Sequence, residues 1–191
     1  MTFLPKSTLR KMHYYHVSSH AKEGQIFTKE TKNNFNYCEF MCVNDFSTYE
    51  KSFNLYKEML KMDLYSKTGR NASKWLCEAI FEYVRKHNNH TDLPSRVWGV
   101  YLCDTKEQAK EFKNNERGKE SKIFEVNVCS AIKFNMNLFT QAHKEIVETD
   151  FSAQSYEIVV NYANAYWTGK NIPGCEYIPE YIALDKEVRI G

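Results

Sequence analysis

Two aromatic residues, Tyr101 and Phe112, lie at positions from which their rings could bind a planar ligand between them. Residues 97–103 form an apolar run rich in aromatic and β-branched side chains, which predicts a short strand with Tyr101 near its end. A helix of about two to three turns follows, with Ala109 and Phe112 on one face. Two rings at that offset can form the walls of a slot, because aromatic faces stack on planar groups. Core packing is the ordinary role of such rings and is the alternative here.

The start of that helix carries a capping signal. The apolar run stops at Asp104, and Thr105 with Gln108 three positions later fits a capping box. The Thr105 hydroxyl is expected to accept a hydrogen bond from one unpaired N–H of the new helix. Gln108 is expected to bond the N–H of Thr105 itself.

A second candidate lies near the N-terminus. Residues 11–19 read as a strand, so that His16 and Ser18 share one face while His13 and Val17 share the other. A histidine on a strand is most often structural or half-exposed. A functional role for His16 therefore needs support from elsewhere in the chain.

A zinc site is a weak alternative for the histidines. Cys38 and Cys42 have a loose Cys-x3-Cys spacing, and His13, His16 and His20 alternate between strand faces. We therefore expect no metal site.

Two charged side chains are further candidates. Glu180 lies within residues 177–190, which predict one or two strands, and a lone glutamate on a strand is ordinarily solvated. Arg96 opens the central strand just after Pro94. A surface position is the default expectation for Arg96, and pairing with a phosphate is the alternative.

Hydrophobic periodicity predicts the elements around these candidates. Helices are predicted over residues 47–61, 72–86, 137–148 and 153–167, with Ser47 capping the first and Gly169 ending the last. In the second helix, four charged residues are expected outside the apolar stripe: Lys74, Glu78, Glu82 and Arg85. The remaining predictions are strands over residues 25–28 and 122–134, a strand or buried loop over 37–43, and a polar turn over 114–121.

Length and composition are those of an ordinary globular protein. The chain has 191 residues, 42% of them hydrophobic and 26% charged, which favours one domain over residues 1–191 with an ample core. The formal net charge of +2 gives little reason to expect nucleic acid or an anionic membrane as partner. No apolar run is long enough to span a membrane, and no secretory signal is evident. We therefore expect a cytoplasmic protein whose six cysteines are reduced.

Three short segments together resemble the ADP-ribosyltransferase superfamily, in its diphtheria-toxin and poly(ADP-ribose) polymerase-like branch. They are Tyr-His-x-Ser at residues 15–18, Gly-x-Tyr-x-x-Asp at residues 99–104, and Glu-Tyr-Ile-Ala-Leu-Asp at residues 180–185. Their order matches the His, Tyr and Glu order of that branch. The Tyr-Trp-x-Gly segment at residues 166–169 is also similar to bacterial and phage members of the superfamily.

The resemblance implies an α+β fold, a split β-sandwich of two small sheets with flanking helices and a helical insert, as a single ADP-ribosyltransferase-like domain. It implies NAD as substrate, cleavage of the nicotinamide–ribose bond and transfer of ADP-ribose to a macromolecular acceptor, protein or nucleic acid. The catalytic residues it implies are Glu180, His16 and Tyr101. The residues it implies for NAD binding are His16, Val17, Ser18, Tyr101 and Phe112.

The implied roles follow the chemistry of the reaction. Breaking the bond between nicotinamide and ribose develops positive charge on the sugar, which the Glu180 carboxylate would stabilise in the transition state. His16 would hold a ribose hydroxyl, and the backbone at Val17 would pair with the nicotinamide amide. Tyr101 and Phe112 would sandwich the nicotinamide ring.

The chain departs from the polymerases at two positions on the helix after Tyr101. Gln108 and Ala109 stand where the polymerases have Lys and Ser. These changes favour transfer of a single ADP-ribose, or NAD hydrolysis, over polymer synthesis. The alternatives are a degenerate module of the same fold that binds NAD, a nucleotide or a partner without chemistry, and an RNA 2′-phosphotransferase.

Overall fold

A computed structural model describes residues 11–28, 43–65, 72–185 and 187–191 of the chain. These residues divide into two compact units. The first comprises the described parts of Met1–Thr31, Val100–Ile132 and Tyr181–Gly191, and the second those of Lys32–Gly99 and Lys133–Glu180. Small antiparallel sheets and helices make this an α+β protein, as the sequence predicts.

The first unit is built mainly from strands. In chain order the strands of the described residues are β1 (Met12–Ser18), β2 (Ile26–Thr28), β3 (Tyr101–Leu102), β4 (Lys122–Val128), β5 (Ala131–Asn135), β6 (Pro179–Ala183) and β7 (Glu187–Arg189). β5 and β6 each cross the sequence boundary between the two units. The same unit contains helix α3 (Lys106–Phe112), followed directly by a π-helix, Lys113–Arg117.

In the part of the chain that the structure describes, three small sheets have the strand orders β1-β4, β2-β7 and β3-β6-β5, where the sequence predicts two. The pairs β1–β4, β2–β7 and β3–β6 are antiparallel. Isolated bridges, Tyr15 to Cys103 and Val126 to Ile190, join neighbouring sheets within the first unit. The split sandwich stays a prediction.

β4 shows why these strands form and where their core lies. Phe124, Val126 and Val128 alternate with exposed residues and are buried, as the period-two pattern predicts. They belong to one apolar cluster with Tyr14, Phe27, Leu102, Ala183, Val188 and Ile190. Burial of each large side chain stabilises the unit by roughly 1.5–3 kcal/mol before entropy is counted.

Two predicted strands are interrupted by side chains that compete for backbone N–H groups. The run over residues 97–103 is extended only at Tyr101–Leu102, because the Ser95 hydroxyl accepts the N–H groups of Val97 and Trp98 in a turn. The predicted strand over residues 122–134 breaks between β4 and β5, where the Asp185 carboxylate accepts the N–H groups of Cys129 and Ser130.

The second unit is built mainly from helices. They are α1 (Tyr49–Tyr65), α2 (Ala72–His87), α4 (Met136–Glu148) and α5 (Ala153–Thr168), and all four were predicted within a few residues. α2 packs against both α4 and α5. The most deeply buried side chains of the unit include Phe46, Met59, Leu76, Ile80, Phe81, Leu138, Ile146, Phe151 and Tyr166.

The expectation that the charged residues of α2 lie outside is wrong for two of them. Glu82 is 1% exposed and Arg85 is 9% exposed. They pair with each other at 2.7 Å between Arg85 Nη2 and Glu82 Oε1, and Arg85 also donates to the carbonyl of Leu93 at 3.0 Å. Neighbouring segments cover this face of α2, and the two charges remain there because each satisfies the other.

The helix ends test the capping predictions. Thr105 accepts from the N–H of Gln108, as predicted, but the Gln108 side chain accepts from the N–H of Asp104 rather than that of Thr105. α1 is capped by Thr48, whose hydroxyl accepts from Lys51 N, and not by Ser47. Gly169 ends α5 in the left-handed conformation that glycine adopts without strain.

Two further predictions concern residues 114–121, where the structure differs from the prediction, and residues 37–43, most of which the structure does not describe. Residues 114–121, predicted as a polar turn, begin as the π-helix, since α3 continues into Lys113–Arg117 without a break. The segment over residues 37–43, predicted as a strand or buried loop, lies outside the described residues except at its last position. Within the described parts of the chain, none of the helices combines the length and apolarity needed to cross a bilayer.

Candidate active site

His16 and Tyr101 come together in the first unit although 85 positions separate them in the sequence. Paired backbone hydrogen bonds between Tyr15 and Cys103, at 2.9 and 2.7 Å, align β1 with the end of β3. In this register the ring Nδ1 of His16 lies 2.8 Å from the carbonyl oxygen of Tyr101. The first two segments of the predicted site therefore meet.

The contact defines the tautomer of His16. A carbonyl oxygen can only accept, so Nδ1 must carry the proton, and in the neutral ring Nε2 is then an acceptor. Within the described residues no protein group forms a hydrogen bond with Nε2. Nε2 is thus the atom of His16 that can accept a hydrogen bond from a ligand hydroxyl.

The electrostatic surroundings of His16 favour that neutral form. Burial lowers the pKa of His16 below its ordinary value, and the positive charge of Arg117 lowers it further. The hydrogen bond to the Tyr101 carbonyl acts in the opposite direction, because it stabilises a protonated ring. The ring of Phe27 contacts the imidazole edge-on, with centroids 5.7 Å apart, and supplies part of the apolar environment.

The two residues after His16 have different surroundings. The side chain of Val17 is 5% exposed and packs into the core, so that only its backbone could contact a ligand. The hydroxyl of Ser18 accepts hydrogen bonds from the N–H groups of His20 and Ala21 at 3.1 and 3.0 Å. The Ser18 hydroxyl therefore stabilises the turn that ends β1.

Phe112 is the last residue of α3 and is half-buried. The guanidinium of Arg117, on the π-helix that follows, lies 5.5 Å from the centroid of the Phe112 ring. The cation that lies over the Phe112 ring is therefore the same one whose charge lowers the pKa of His16. The slot between the rings of Tyr101 and Phe112 stays a prediction.

Gln108 and Ala109, which replace the Lys and Ser of the polymerases, have structural roles. Ala109 is fully buried. The side-chain oxygen of Gln108 accepts from the N–H of Asp104 at 3.2 Å and so closes the start of α3. Both residues support the helix that carries Phe112.

Glu180 lies in the second unit and is 8% exposed. Its Oε1 accepts a hydrogen bond from Tyr166 Oη at 2.6 Å and another from Arg96 Nη1. Arg96 Nη1 also donates to Tyr166 Oη at 2.8 Å. The carboxylate is therefore held by two donors in a desolvated environment.

The expectation of a surface position for Arg96 is wrong, because the side chain is 6% exposed. Its guanidinium stacks over Phe139 at 4.1 Å from the ring centroid and forms two hydrogen bonds with Glu78, Nε to Oε2 at 3.0 Å and Nη2 to Oε1 at 3.2 Å. Sequence reasoning missed Glu78 and Tyr166 as partners. The one signal for this cluster in the sequence was Arg96 itself, for which we considered pairing with a phosphate as the alternative to a surface position.

Metal binding finds no support in the described residues. Within residues 11–28, 43–65, 72–185 and 187–191, no three His, Cys, Asp or Glu side chains come together as a ligand set. Cys38 and Cys42 lie outside those ranges.

The α+β architecture with small antiparallel sheets defines only a broad class of protein. A family model places the chain more narrowly. It belongs to the family described as "Protein of unknown function (DUF2441)", whose model matches residues 12–183. That match includes each of the candidate residues, from His16 in the first unit to Glu180 in the second. A search of curated proteins found no match.

Proposed function

We propose that this protein is an NAD-dependent mono-ADP-ribosyltransferase that cleaves the nicotinamide–ribose bond and transfers ADP-ribose to a macromolecular acceptor. The observation that carries the proposal is the contact between His16 Nδ1 and the Tyr101 carbonyl. The His and Tyr segments that resemble the superfamily are distant in sequence, and a chance resemblance gives no reason for them to meet. NAD is the substrate in this proposal, and NAD hydrolysis is the expected side reaction.

Each predicted residue has a role in the proposed reaction. Nε2 of His16 accepts a hydrogen bond from a ribose hydroxyl, and the backbone at Val17 forms hydrogen bonds with the nicotinamide amide. Tyr101 and Phe112 stack on the nicotinamide ring. Ser18, which ends β1, supports this end of the strand and supplies a hydroxyl.

In the bond-breaking step the electron pair of the C1′–N bond passes to the pyridinium ring, so nicotinamide leaves as a neutral molecule. The ribose becomes oxocarbenium-like, and the negative charge of Glu180 lowers the energy of that state more than that of neutral ground-state ribose. An acceptor hydroxyl then bonds C1′, and its proton passes to Glu180 or to water. When water is the acceptor, the products are free ADP-ribose and nicotinamide.

The test is nicotinamide release from NAD by the wild type, by Glu180→Gln and by the control Glu176→Gln. Gln at 180 keeps an oxygen for Arg96 and Tyr166 but removes the charge. We expect a fall in turnover of roughly 10²- to 10³-fold with little change in NAD affinity. Glu176 is an exposed carboxylate on the segment before β6, so its replacement should leave turnover unchanged.

Two outcomes would contradict this assignment. Wild-type turnover in Glu180→Gln together with loss in Glu176→Gln would mean that the wrong glutamate has been chosen. An inactive wild type that binds NAD in calorimetry would favour the second candidate, a binding module without chemistry.

That second candidate has one observation in its favour. Gln108 and Ala109 are committed to the start and the buried face of α3. Neither can provide the cation or the hydroxyl with which the polymerases hold NAD.

A further inference from the structure

We propose that Arg96 and Tyr166 are positioning residues that hold the Glu180 carboxylate in its reactive orientation, an inference that rests on the proposed function. The resemblance assigned no role in the reaction to either residue. The inference comes from a cluster of charged and aromatic side chains inside the second unit.

The contacts converge on one oxygen of Glu180. Tyr166 Oη and Arg96 Nη1 both donate to Oε1, and Arg96 Nη1 also donates to Tyr166 Oη. Oε1, Tyr166 Oη and Arg96 Nη1 thus form a closed triangle of hydrogen bonds. A carboxylate bonded in this way cannot rotate without breaking two hydrogen bonds, which leaves the direction of its second oxygen, Oε2, defined.

The donors are themselves fixed. Arg96 is 6% exposed and stacks on Phe139, while Tyr166 is 1% exposed and stacks on Phe134 with ring centroids 4.7 Å apart and planes at 9°. Tyr166 lies on the long helix α5, which limits its movement. Groups held before the substrate arrives need little reorganisation during the reaction, which is the condition for strong electrostatic stabilisation.

Glu78 offsets the positive charge that Arg96 places beside Glu180. An arginine bonded to Glu180 alone would neutralise the charge that the proposed reaction needs. Arg96 is also bonded by Glu78 through two hydrogen bonds from the side of α2. Two carboxylates and one guanidinium leave the cluster with one net negative charge when both carboxylates are ionised. The cluster therefore orients Glu180 and still favours a positive charge nearby.

The alternative is that the cluster stabilises the fold and has no effect on the reaction. Tyr166→Phe separates the two roles, because it removes one hydroxyl and keeps the stacked ring. Tyr156→Phe is the matched control. Tyr156 is on the same helix, is 6% exposed, and donates its hydroxyl to the carbonyl of Phe46 at 2.8 Å.

The experiment measures kcat and KM for nicotinamide release from NAD, together with the unfolding temperature of each variant. We expect Tyr166→Phe to lower kcat by roughly 10- to 100-fold, the scale of one hydrogen bond to a charged group, with KM within about twofold of wild type. Tyr156→Phe should lower the unfolding temperature to a similar extent and leave kcat unchanged.

A second pair of variants covers the charge. Arg96→Lys removes the stacked, forked donor and should lower kcat at least as much as Tyr166→Phe. Arg85→Lys, in the other buried arginine–glutamate pair of the unit, should affect only stability.

The outcomes separate this inference from the function on which it rests. Equal kcat in Tyr166→Phe and Tyr156→Phe, with Glu180→Gln inactive, would overturn the positioning role alone. Absence of nicotinamide release by the wild type would overturn both.

Discussion

Replacing His16 tests whether its ring serves the fold, the ligand or both. Asn at this position places its amide nitrogen the same number of bonds from Cα as Nδ1, so His16→Asn keeps a donor for the Tyr101 carbonyl. It loses the Nε2 acceptor and the titration of the ring. His16→Ala loses all of these.

The structure sets the size of the expected losses in stability. His16→Ala removes the 2.8 Å hydrogen bond, worth about 1 kcal/mol net, and the edge contact with Phe27, worth about 0.5–1 kcal/mol. We expect a loss of about 2 kcal/mol, which lowers the melting temperature by about 4–8 °C in a chain of this size. His16→Asn should lose about half as much, since the hydrogen bond to Tyr101 remains.

Affinity for NAD should respond differently from stability. Both variants lose the acceptor for the ribose hydroxyl, so both should weaken NAD binding by roughly 5- to 10-fold in calorimetry. His13→Asn is the control, because His13 is exposed on the same strand and faces the other side. Wild-type affinity in His16→Asn would refute the ligand role and leave His16 as a structural residue.

The same variants predict a pH dependence of stability. Because burial lowers the pKa of His16, the unfolded chain binds a proton more readily than the folded one. The free energy of unfolding should therefore be fully maintained above the ordinary histidine value of about 6.5 and should fall as the pH drops below it towards the folded-state pKa. Burial also lowers the pKa of His143, so His16→Asn should reduce this fall without abolishing it. An unchanged pH profile in His16→Asn would contradict the assignment.

Two further predictions concern Phe112 and the cysteines. Phe112→Ala should weaken NAD binding by roughly 1–3 kcal/mol, the scale of losing one stacking ring and its apolar area. An unchanged dissociation constant would mean that Phe112 serves packing and does not contact NAD. In a short iodoacetamide pulse followed by peptide mapping, the exposed Cys129 should react first among the four described cysteines. Cys103 and Cys77 should react slowly, because burial raises the pKa of the Cys103 thiol to about 11 and Cys77 is fully buried. Early modification of Cys77 would contradict this and show that α2 opens readily.

Local patterns were sufficient for most elements of the fold. The helices α1, α2, α4 and α5 and the buried face of β4 follow from periodicity, because an amphipathic pattern reports the face that a segment must bury. The cap at Thr105 was found for the same reason, since its partner is three residues away. Where two hydroxyl residues adjoin, as at Ser47 and Thr48, local chemistry could not choose between them.

Long-range competition for backbone groups could not be found in this way. Cys129 and Ser130 continue a strand-like run, and the carboxylate that breaks it belongs to Asp185, more than 50 positions away. The break separates β4, which pairs with β1, from β5, which belongs to the sheet with β3 and β6.

By itself, the sequence determined the four longer helices and the buried face of β4, and its resemblance to a known superfamily made His16, Tyr101 and Glu180 candidates. The tertiary structure alone decided that His16 bonds the carbonyl of Tyr101, and that Arg96, expected at the surface, is buried between the carboxylates of Glu78 and Glu180. The physical reason is that secondary structure depends on neighbours within a few residues. The environment of a charged side chain depends instead on desolvation and on partners that only folding brings into contact.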